Sequence, residues 1–504
     1  MIQKILIANR GEIAVRIIRT CRELGIRTVA VFSEADRSAL HVAMADEAYC
    51  IGPAPSAQSY LVVDKIIEVA QKSGADAVHP GYGFLSEKDF FSAACEKAGL
   101  IFIGPKPKAI AAMGDKITAR TLAQKAKVPM VPGTLEPVSD LKKIEKLARE
   151  FGYPVLLKAA AGGGGKGMRV VHESGELSSA YEMAASEAKK AFADDRLYIE
   201  KLIERPRHVE IQIIRDSHGQ GFFLLERECS MQRRHQKVIE EAPCPYLTED
   251  VRQKMAESSL RLAAAVDYLG VGTLEYLVDD KQDFYFLEMN TRLQVEHTVT
   301  EMITGLDLVE LQIRVAQGEK LSLKQSEIRP GGHAIQCRIY AEDPQNNFMP
   351  SPGRIHFFEP PEGPGIRHDT GVYDGAEISM FYDPMIAKLV AHASTRERAI
   401  AKMLRALGEY RISGPAHNIA FLRTLLCTPE FGKARGHTQF IDQHPELTQP
   451  RPTDLPLEVI LGVAAWDKIE TSKKPVASSS GHGAVAQVNT IWARAGLSES
   501  LRRR

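Results

Sequence analysis

Residues 283–300, DFYFLEMNTRLQVEHTVT, set polar side chains two positions apart directly after an apolar strand. Phe284 to Leu287 are aromatic or aliphatic, as expected for a buried strand. Alternate residues of a strand share a face, so Glu288 and Asn290 point to the same side of the predicted sheet. A carboxylate and an amide on one face supply the hard oxygen ligands that Mg²⁺ takes. The stretch therefore predicts a metal site at the end of a buried strand.

The two-residue spacing continues past that strand. Arg292, Gln294 and Glu296 follow at the same interval, and in an extended chain they would share the face of Glu288 and Asn290. Metal ligands, an arginine and a carboxylate in series predict a site that holds a polyphosphate together with a small anion. The alternative is an edge strand with a solvated polar face. The aromatic residues of the apolar half argue against an edge position.

A neighbouring strand supports the metal prediction. Residues 272–278, GTLEYLV, form an apolar strand that is interrupted by Glu275. The polar residues 279–283 that follow predict a hairpin. In such a hairpin, Glu275 and Glu288 can lie opposite one another. Two buried carboxylates at close range repel unless a cation lies between them.

Length and composition narrow the class of protein. The chain has 504 residues, which is too long for one hydrophobic core and predicts roughly two to four domains. Lysine plus arginine equals aspartate plus glutamate, 64 each, so nothing indicates nucleic acid or an anionic membrane as a partner. No apolar run reaches membrane-spanning length, and the first residues lack the apolar stretch of a signal peptide. The 7 cysteines form no CxxC pair, which predicts reduced thiols in a cytoplasmic protein.

The N-terminal residues predict a small doubly wound α/β domain over 1–113. A strand at 4–9, a helix at 12–24 and a strand at 28–32 form a βαβ unit. The first turn, Asn9-Arg10-Gly11-Glu12, lacks GxGxxG, so no NAD site is predicted.

The remaining chain predicts two further domains and a tail. Helices and strands alternate over 114–318, and 330–445 is richer in strands, which indicates an α+β domain. Residues 446–504 contain several prolines and the run SSSGHG, and we predict that this tail is partly disordered.

A glycine-rich loop follows the strand that ends at Lys158. Its contiguous glycines, with Lys166 beside them, would let backbone N–H groups approach phosphate oxygens. It is not a P-loop, because GxxxxGK[ST] opening a helix is absent. A flexible linker is the alternative, but apolar strands on both sides (VLLK and MRVV) favour a mobile flap over phosphates.

Two further segments leave alternatives open. Residues 197–203, LYIEKLI, suit an adenine edge or, equally, a plain strand. Residues 226–241, ERECSMQRRHQKVIEE, are dense in arginine, histidine and lysine, and predict either an anion site or a solvated charged face.

Together these segments resemble the biotin carboxylases of the ATP-grasp superfamily. The matching stretches are KILIANRGEIAVRIIR at the N-terminus, HPGYGFLSE at 79–87, MGDK at 113–116, GGGGKGMR at 162–169, ECSMQRRHQKVIEEAP at 228–243, FLEMNTRLQVEHTVTE at 286–301, RIYAEDP at 338–344 and FYDPMIAKL at 381–389. The resemblance extends to about residue 443. It implies a fold of mixed α/β and α+β class: a Rossmann-like pre-ATP-grasp domain, an ATP-grasp domain with a mobile lid at about 131–203, and an α+β C-terminal domain.

The resemblance also implies roles for individual residues. ATP would contact Lys116, Lys158, Gly162, Gly163, Gly164, Gly165, Glu200, Lys201, Leu202, Ile203, His208, Gln232 and His235. Two Mg²⁺ or Mn²⁺ ions would bind Glu275, Glu288 and Asn290. Bicarbonate would bind Lys237, Arg292, Gln294 and Val295, Glu296 would act as general base, and Arg338 would contact biotin. The implied catalytic set is Arg292, Glu296, Arg338 and Lys237.

The implied activity is ATP-dependent carboxylation of biotin by bicarbonate through carboxyphosphate, the first half-reaction of a biotin-dependent carboxylase. Acetyl-CoA is the expected final acceptor, which would place the enzyme in fatty acid biosynthesis, with propionyl-CoA and pyruvate as alternatives. No biotinyl-lysine motif or carboxyltransferase-sized region follows. We therefore expect a homodimer that works with a biotin carboxyl carrier protein and carboxyltransferase subunits.

Two other functions compete with this one. An ATP-grasp ligase for a different carboxylate would not need Arg338 together with the residues from Arg292 to Glu296. A non-catalytic nucleotide-sensing subunit would be expected to have lost metal ligands, whereas Glu275, Glu288 and Asn290 are all present.

Overall fold

The computed structural model describes residues 1–134, 136, 138–159, 168–192, 196–449 and 465. The chain divides into two units, Met1–Pro450 and Arg451–Arg504, and the elements below belong to the first. The predicted phosphate loop, Gly162 to Gly165, lies outside the described residues, as does the predicted tail from Pro450 onward except residue 465. Within the described part, no helix is both long enough and apolar enough to cross a membrane.

A parallel sheet organises the N-terminal part of the chain, as predicted. The elements are β1 (Lys4–Ile7), α1 (Gly11–Glu23), β2 (Arg27–Ser33), α2 (Leu40–Met44), β3 (Glu47–Gly52), α3 (Val63–Ser73), β4 (Ala77–His79), α4 (Asp89–Lys97), β5 (Ile101–Phe102) and α5 (Pro107–Gly114). The strands lie in the order β3-β2-β1-β4-β5 and all pair in parallel. Ile17 and Ile18 of α1 are fully buried, because the apolar stripe of this helix packs on the sheet.

The next elements along the chain include the predicted lid. They are α6 (Lys116–Lys125), α7 (Leu141–Phe151), β6 (Val155–Ala159), β7 (Met168–Val171), α8 (Leu177–Phe192) and β8 (Leu197–Lys201). The three strands form an antiparallel sheet in the order β7-β6-β8. Ile144 of α7 and Leu157 of β6 belong to a core of its own, which gives this part of the chain an independent hydrophobic centre.

The rest of the unit is built on long antiparallel strands. The elements up to the third predicted domain are β9 (Arg207–Arg215), β10 (Gly221–Arg233), β11 (Gln236–Ala242), α9 (Glu249–Ala265), β12 (Gly270–Val278), β13 (Phe284–Asn290), α10 (His297–Thr304) and α11 (Leu308–Ala316). Those that follow are β14 (His333–Tyr340), β15 (Glu342–Asp343), β16 (Met349–Pro350), β17 (Gly353–Arg354), β18 (Phe357–Glu359), β19 (Ile366–Thr370), β20 (Glu377–Ile378), β21 (Met385–Ala393), α12 (Arg396–Glu409), β22 (Arg411–Ser413), α13 (Ile419–Leu426), α14 (Pro429–Gly432) and α15 (Phe440–Gln443).

One eight-stranded sheet joins the second and third predicted domains, in the order β13-β12-β9-β10-β11-β14-β21-β19. The junction is the antiparallel pair of β11 with β14, in which Ile239 lies opposite Cys337. The sheet is therefore continuous across the segment between 318 and 330, where the sequence predicts a domain boundary. Side chains from both predicted domains can share one face of it.

The predicted hairpin of β12 and β13 is present, and Glu275 lies directly opposite Glu288. The expectation that its aromatic residues exclude an edge position for this strand is wrong, because β13 is the terminal strand of the sheet and Leu287 is exposed. The five polar side chains would share one face only if the chain stayed extended from Glu288 to Glu296, and this condition is not met, because β13 ends at Asn290. Glu296 has φ −83° and ψ 8° and precedes helix α10. The backbone leaves the sheet because the short segment before α10 must turn into that helix. Strand alternation therefore cannot account for the positions of Arg292, Gln294 and Glu296.

The first turn of α1 packs closely against the residues after β19. A Cβ atom on Gly371 would lie 2.5 Å from the backbone nitrogen of Glu12 and 2.5 Å from the carbonyl carbon of Gly11. Only glycine permits this approach of two backbones. The contact holds the first turn of α1 against the edge of the large sheet that β19 forms.

We predict that Gly371→Ala lowers the melting temperature, since one of the two backbones must move, at a cost of about 1–3 kcal/mol. The matched control is Gly408→Ala in α12, where no atom beyond the neighbouring residues and the backbone of the same helix lies within 4 Å of the added Cβ. Helix propensity predicts that this control gains up to about 1 kcal/mol. Differential scanning calorimetry of the three proteins measures both effects. Equal melting temperatures for Gly371→Ala and the parent would contradict the close contact.

Candidate active site

Three carboxylates lie in a row across adjacent strands of the large sheet. Glu288 of β13 is opposite Glu275 of β12, and Glu275 is opposite Glu210 of β9. Arg227 of β10 completes the row, opposite Glu210. Like charges at directly opposed positions repel, so this arrangement requires cations close by.

Lys237 of β11 supplies the central cation. Its Nζ donates to Glu210 Oε2 at 2.5 Å, to Glu275 Oε1 at 2.8 Å and to Glu296 Oε1 at 2.6 Å. Burial opposes the charge of this ammonium, but the three carboxylates outweigh burial and hold the pKa of Lys237 well above its ordinary value. Lys237 is therefore a fixed positive charge that joins three strands and the start of α10.

Arg227 organises the buried side of the row. It is fully buried, so neither sequence alternative for residues 226–241, an anion site or a solvated face, describes this arginine. Its guanidinium donates to Glu210, and at 2.7 Å to Oε1 of Gln294. Gln294 in turn donates from Nε2 to Glu275 Oε1 at 2.9 Å. Gln294 therefore belongs to the site, as the sequence predicts. It is held there by its bonds to Arg227 and Glu275, and not by strand alternation, because β13 has already ended.

Glu275, Glu288 and Asn290, the predicted metal ligands, are brought together by the hairpin. Asn290 Nδ2 donates to Glu275 Oε1 at 2.9 Å. Burial opposes ionisation of Glu275, but Lys237 and His208 hold the pKa of that carboxyl well below its usual range. Burial and then the charge of Glu275 raise the pKa of Glu288. A divalent cation between the two carboxylates would relieve this repulsion, so the residues fit the predicted metal.

His208, a predicted ATP contact, lies beside these ligands. Its Nε2 is 3.1 Å from Glu275 Oε2, and His208, Glu210 and Glu275 offer ligand atoms within 4.8 Å of one another. Glu210 was missed by the sequence reasoning. The alternation of His208, Glu210 and Gln212 along RHVEIQ could have indicated it, since these residues share one face of a strand.

Glu296 lies between two cations. Its Oε1 accepts from Lys237, and its Oε2 accepts from Arg338 Nη2 at 3.0 Å. Burial opposes ionisation of Glu296, but Lys237, Arg338 and Arg227 hold its pKa far below the ordinary value. Arg338 also donates from Nε to Glu240, another residue that the sequence reasoning missed. The carboxylate is therefore ionised and fixed in orientation.

Arg292 and Val295 line a cleft between the N-terminal sheet and the large sheet, together with Arg338. Tyr82 and Glu12 form part of the opposite wall. The structure therefore brings Arg292, Val295 and Arg338 to one open cleft. Lys237 and Gln294, the other predicted bicarbonate residues, are bonded to Glu275 in the carboxylate cluster.

The predicted ATP residues occupy several elements. Lys158 of β6 forms an ion pair with Glu200 of β8, and Lys201 donates from Nζ to the carbonyl oxygen of Tyr153 at 2.6 Å. The amide of Leu202 donates to Pro154, Gln232 donates to the carbonyl of Cys229, and Lys116 and His235 are exposed, as are parts of Ile203. Lys158, Glu200 and Lys201 therefore lie on the predicted lid, whereas Gln232 lies opposite Lys237 in the large sheet, next to the carboxylate cluster.

Glu12 adds a buried carboxylate to the wall of the cleft. Its Oε2 lies 3.1 Å from Nζ of Lys388, a fully buried residue of β21. Burial raises the pKa of Glu12 to about 7; Lys388 and Arg367 oppose this rise, and Asp369 adds to it.

Known protein families match three consecutive parts of the chain. The family described as "Biotin carboxylase, N-terminal domain" matches residues 1–110. "Carbamoyl-phosphate synthase L chain, ATP binding domain" matches 115–324, and "Biotin carboxylase C-terminal domain" matches 336–443.

Individual relatives are similar over most of the chain. It is 53% identical to the biotin carboxylase of Halalkalibacterium halodurans, over 88% of this chain and 98% of that protein. It is 51% identical to the propionyl-CoA carboxylase alpha chain of Ruegeria pomeroyi, over 88% of this chain and 69% of that one. Further relatives are named for methylcrotonoyl-CoA carboxylase and for pyruvate carboxylase.

A solved structure has the same fold. The biotin carboxylase domain dimer of the Hydrogenobacter thermophilus 2-oxoglutarate carboxylase was determined with MgADP, ADP and bicarbonate. It superposes with a TM-score of 0.81 at 45% identity, over 90% of this chain and all of that chain.

We predict a pH-dependent stability that comes from Glu12. Its ordinary pKa is 4.5 and its folded pKa is about 7, so the folded state binds this proton more tightly and stability is lost as pH rises through that range. Glu12→Gln cannot ionise. The melting temperature of the variant minus that of the parent should therefore increase between about pH 5 and about pH 8.

Thermal unfolding at several pH values measures this difference. The control Glu68→Gln removes an exposed carboxylate of α3, and its offset from the parent should be constant with pH. A Glu12→Gln offset that is equally constant would contradict the raised pKa.

Proposed function

The chain belongs to the biotin carboxylase family, and from this premise we propose that it phosphorylates bicarbonate with ATP and transfers the carboxyl group to biotin on a carrier protein. The observation that carries the proposal is the position of Glu296 between Lys237 and Arg338. A carboxylate held by two cations beside a row of candidate metal ligands suits a reaction that gathers several anions in one place.

Bicarbonate is a poor electrophile, so its phosphorylation to carboxyphosphate activates it. Arg292 would hold the anion in line with the transferring phosphoryl group, with Gln294 and the backbone of Val295 beside it, which lowers the barrier by positioning. Lys237 would offset negative charge on that group. The bonds of Gln294 to Arg227 and Glu275 already fix its side chain, so this residue needs little reorganisation.

Glu296 would take the proton of bicarbonate. In the structure burial opposes its ionisation, yet Lys237 and Arg338 hold its pKa low. We infer that its basicity increases when Lys237 turns to bicarbonate and Arg338 turns to biotin, because each loses part of its contact with the carboxylate. The base would then be strongest only with both substrates present.

Arg338 would serve the second part of the reaction. Carboxyphosphate would break down to CO₂ and phosphate in the closed site, and phosphate would take the proton of biotin. The guanidinium of Arg338 would then stabilise the ureido oxyanion of biotin. Its bond to Glu240 supports this role, since it fixes the guanidinium at the cleft.

Glu275, Glu288 and Asn290 would hold Mg²⁺ or Mn²⁺, which neutralises phosphate charge when bound. The pKa of Glu288, raised by burial and by Glu275, supports this assignment. We also propose that two ions bind. The proposed nucleotide contacts are Lys116, Lys158, Gly162 to Gly165, Glu200 to Ile203, His208, Gln232 and His235.

The proposed domain limits are 1–113, 114–318 and 330–445.

The carboxyltransferase partner would determine which molecule is the final carboxyl acceptor. Three of the relatives above are named as carboxylases of propionyl-CoA, methylcrotonoyl-CoA or pyruvate. They do not support the expectation of acetyl-CoA carboxylase and fatty acid biosynthesis. We propose one of the three acceptors they name, with a biotin carrier and a carboxyltransferase as partners and a homodimer as the working form. A cytoplasmic location stays a prediction.

The proposal predicts ATP hydrolysis that depends on bicarbonate and increases with free biotin. Glu296→Gln keeps the shape of the side chain but cannot take a proton, so kcat should fall by about 10²–10⁴-fold while the KM for ATP stays the same. Phosphate release with and without bicarbonate measures both. If the rate of ATP hydrolysis by the parent enzyme were the same with and without bicarbonate, this function would be ruled out.

A second prediction separates the two half-reactions. Arg338→Gln should abolish most biotin carboxylation, yet leave ATP binding within about twofold, because Arg338 faces biotin and not the nucleotide. Isothermal titration with an ATP analogue and carboxybiotin formation are the two measurements. Arg338→Lys, which retains a charge beside Glu240, controls for folding. Equal losses of binding and carboxylation would contradict the role of Arg338.

A further inference from the structure

The segment HPGYGFLSE at 79–87 matches the family and yet provides none of the predicted site residues. It is the loop that follows β4. Asn9 Nδ2 donates to the carbonyl oxygens of Pro80 and Tyr82, each at 2.8 Å. The amide of Gly81, whose φ is +62°, donates to Nδ1 of His79 at 3.0 Å. These bonds give the loop one defined course, and Glu87 stands at its end.

The Glu87 carboxylate joins this loop to the end of β13. One oxygen accepts from the backbone N–H of Thr291 at 3.1 Å, and the other accepts from Nε of Arg292 at 2.9 Å. Thr291 is the first residue after the strand. Glu87 therefore fixes both the backbone, where it leaves the sheet, and the arginine side chain that follows.

The remaining bonds of Arg292 complete its orientation. Nη2 donates to Oδ1 of Asn290 at 2.9 Å, and Nη1 donates to the carbonyl oxygen of Leu293 at 3.3 Å. A guanidinium has five N–H groups. Within the described residues these bonds and the bond to Glu87 use three of them, which leaves one N–H on each terminal nitrogen. Two such groups can bind the two oxygens of a planar anion together.

We propose that Glu87 is a positioning residue for bicarbonate, which turns the guanidinium of Arg292 so that its two terminal N–H groups face the anion. The inference rests on the proposed function, which assigns bicarbonate to Arg292. It gives the N-terminal domain a direct part in the chemistry, through a residue more than 200 positions away in the sequence from the arginine it orients.

A role of Glu87 as a metal ligand is the competing explanation. The charge of Glu87 is among those that raise the pKa of Glu288, after burial and Glu275, so the two carboxylates are close. However, both oxygens of Glu87 already accept hydrogen bonds from Thr291 and Arg292. This favours orientation of Arg292 over ligation of a cation.

Glu87→Gln tests the proposal, because the amide keeps the size of the side chain and loses its charge. The KM for bicarbonate should rise by about tenfold, as expected for loss of a charge-assisted hydrogen bond. The KM for ATP and the Kd for Mn²⁺, measured by electron paramagnetic resonance on the full-length enzyme, should stay at the parent values. Asp89→Asn, an exposed carboxylate two residues further on at the start of α4, is the matched control.

Each other outcome overturns the inference. A weaker Kd for Mn²⁺ would make Glu87 a metal ligand. Equal increases of both KM values, with a lower melting temperature than that of Asp89→Asn, would make it a structural residue only. If none of these parameters changed in Glu87→Gln, Glu87 would have no role in positioning Arg292. Absence of bicarbonate dependence in the parent would instead refute the proposed function, and the inference would fall with it.

Discussion

The bonds of Lys237 to three carboxylates are the interaction on which the rest of the site depends. Glu288, Glu275 and Glu210 lie opposite one another on three neighbouring strands, an arrangement that repulsion alone would disfavour. Lys237 bonds two of them and also Glu296. Removing one partner from a buried ion pair costs about 3–5 kcal/mol, so the ammonium that we propose for bicarbonate binding also holds the large sheet together.

This charge arrangement gives neighbouring carboxylates different affinities for protons. Glu275 and Glu296 have depressed pKa values, because nearby cations outweigh the effect of burial. Glu288 and Glu240 have raised pKa values, since burial and a neighbouring carboxylate prevail. The first pair is ionised and fixed by cations in the protein alone, whereas Glu288 is the carboxylate with the most to gain from an added cation.

The cleft forms where the N-terminal sheet meets the large sheet. Gly371 allows the first turn of α1 to approach the residues after β19, and Lys388 pairs with Glu12 across the same contact. Arg10, just before that first turn, binds Asp36 through two nitrogens, at 2.6 and 2.7 Å, and lies over the ring of Tyr382. The position of one wall of the cleft relative to the other is thus set by buried charges and by a backbone contact. The shape of the candidate site therefore depends on a domain that contributes none of the predicted site residues.

Much of the local structure follows from the sequence alone. The βαβ start, the hairpin of β12 and β13 and the pairing of Glu275 with Glu288 come from side-chain periods and turn composition, which are properties of a few adjacent residues. The continuous sheet across the second and third predicted domains could not be read in this way, since strand order depends on contacts between distant segments.

The site shows the same division. Glu288 and Asn290 share a face because they belong to one strand, and the sequence alone was enough to predict this arrangement. Tertiary structure decided that Gln294 is held by Arg227, that Glu296 lies between Lys237 and Arg338, and that Glu87 reaches Arg292. The physical reason is that a side-chain period acts only while the chain stays extended. Once the backbone turns after Asn290, the position of each charge depends on the oppositely charged or polar partners that the fold brings to it.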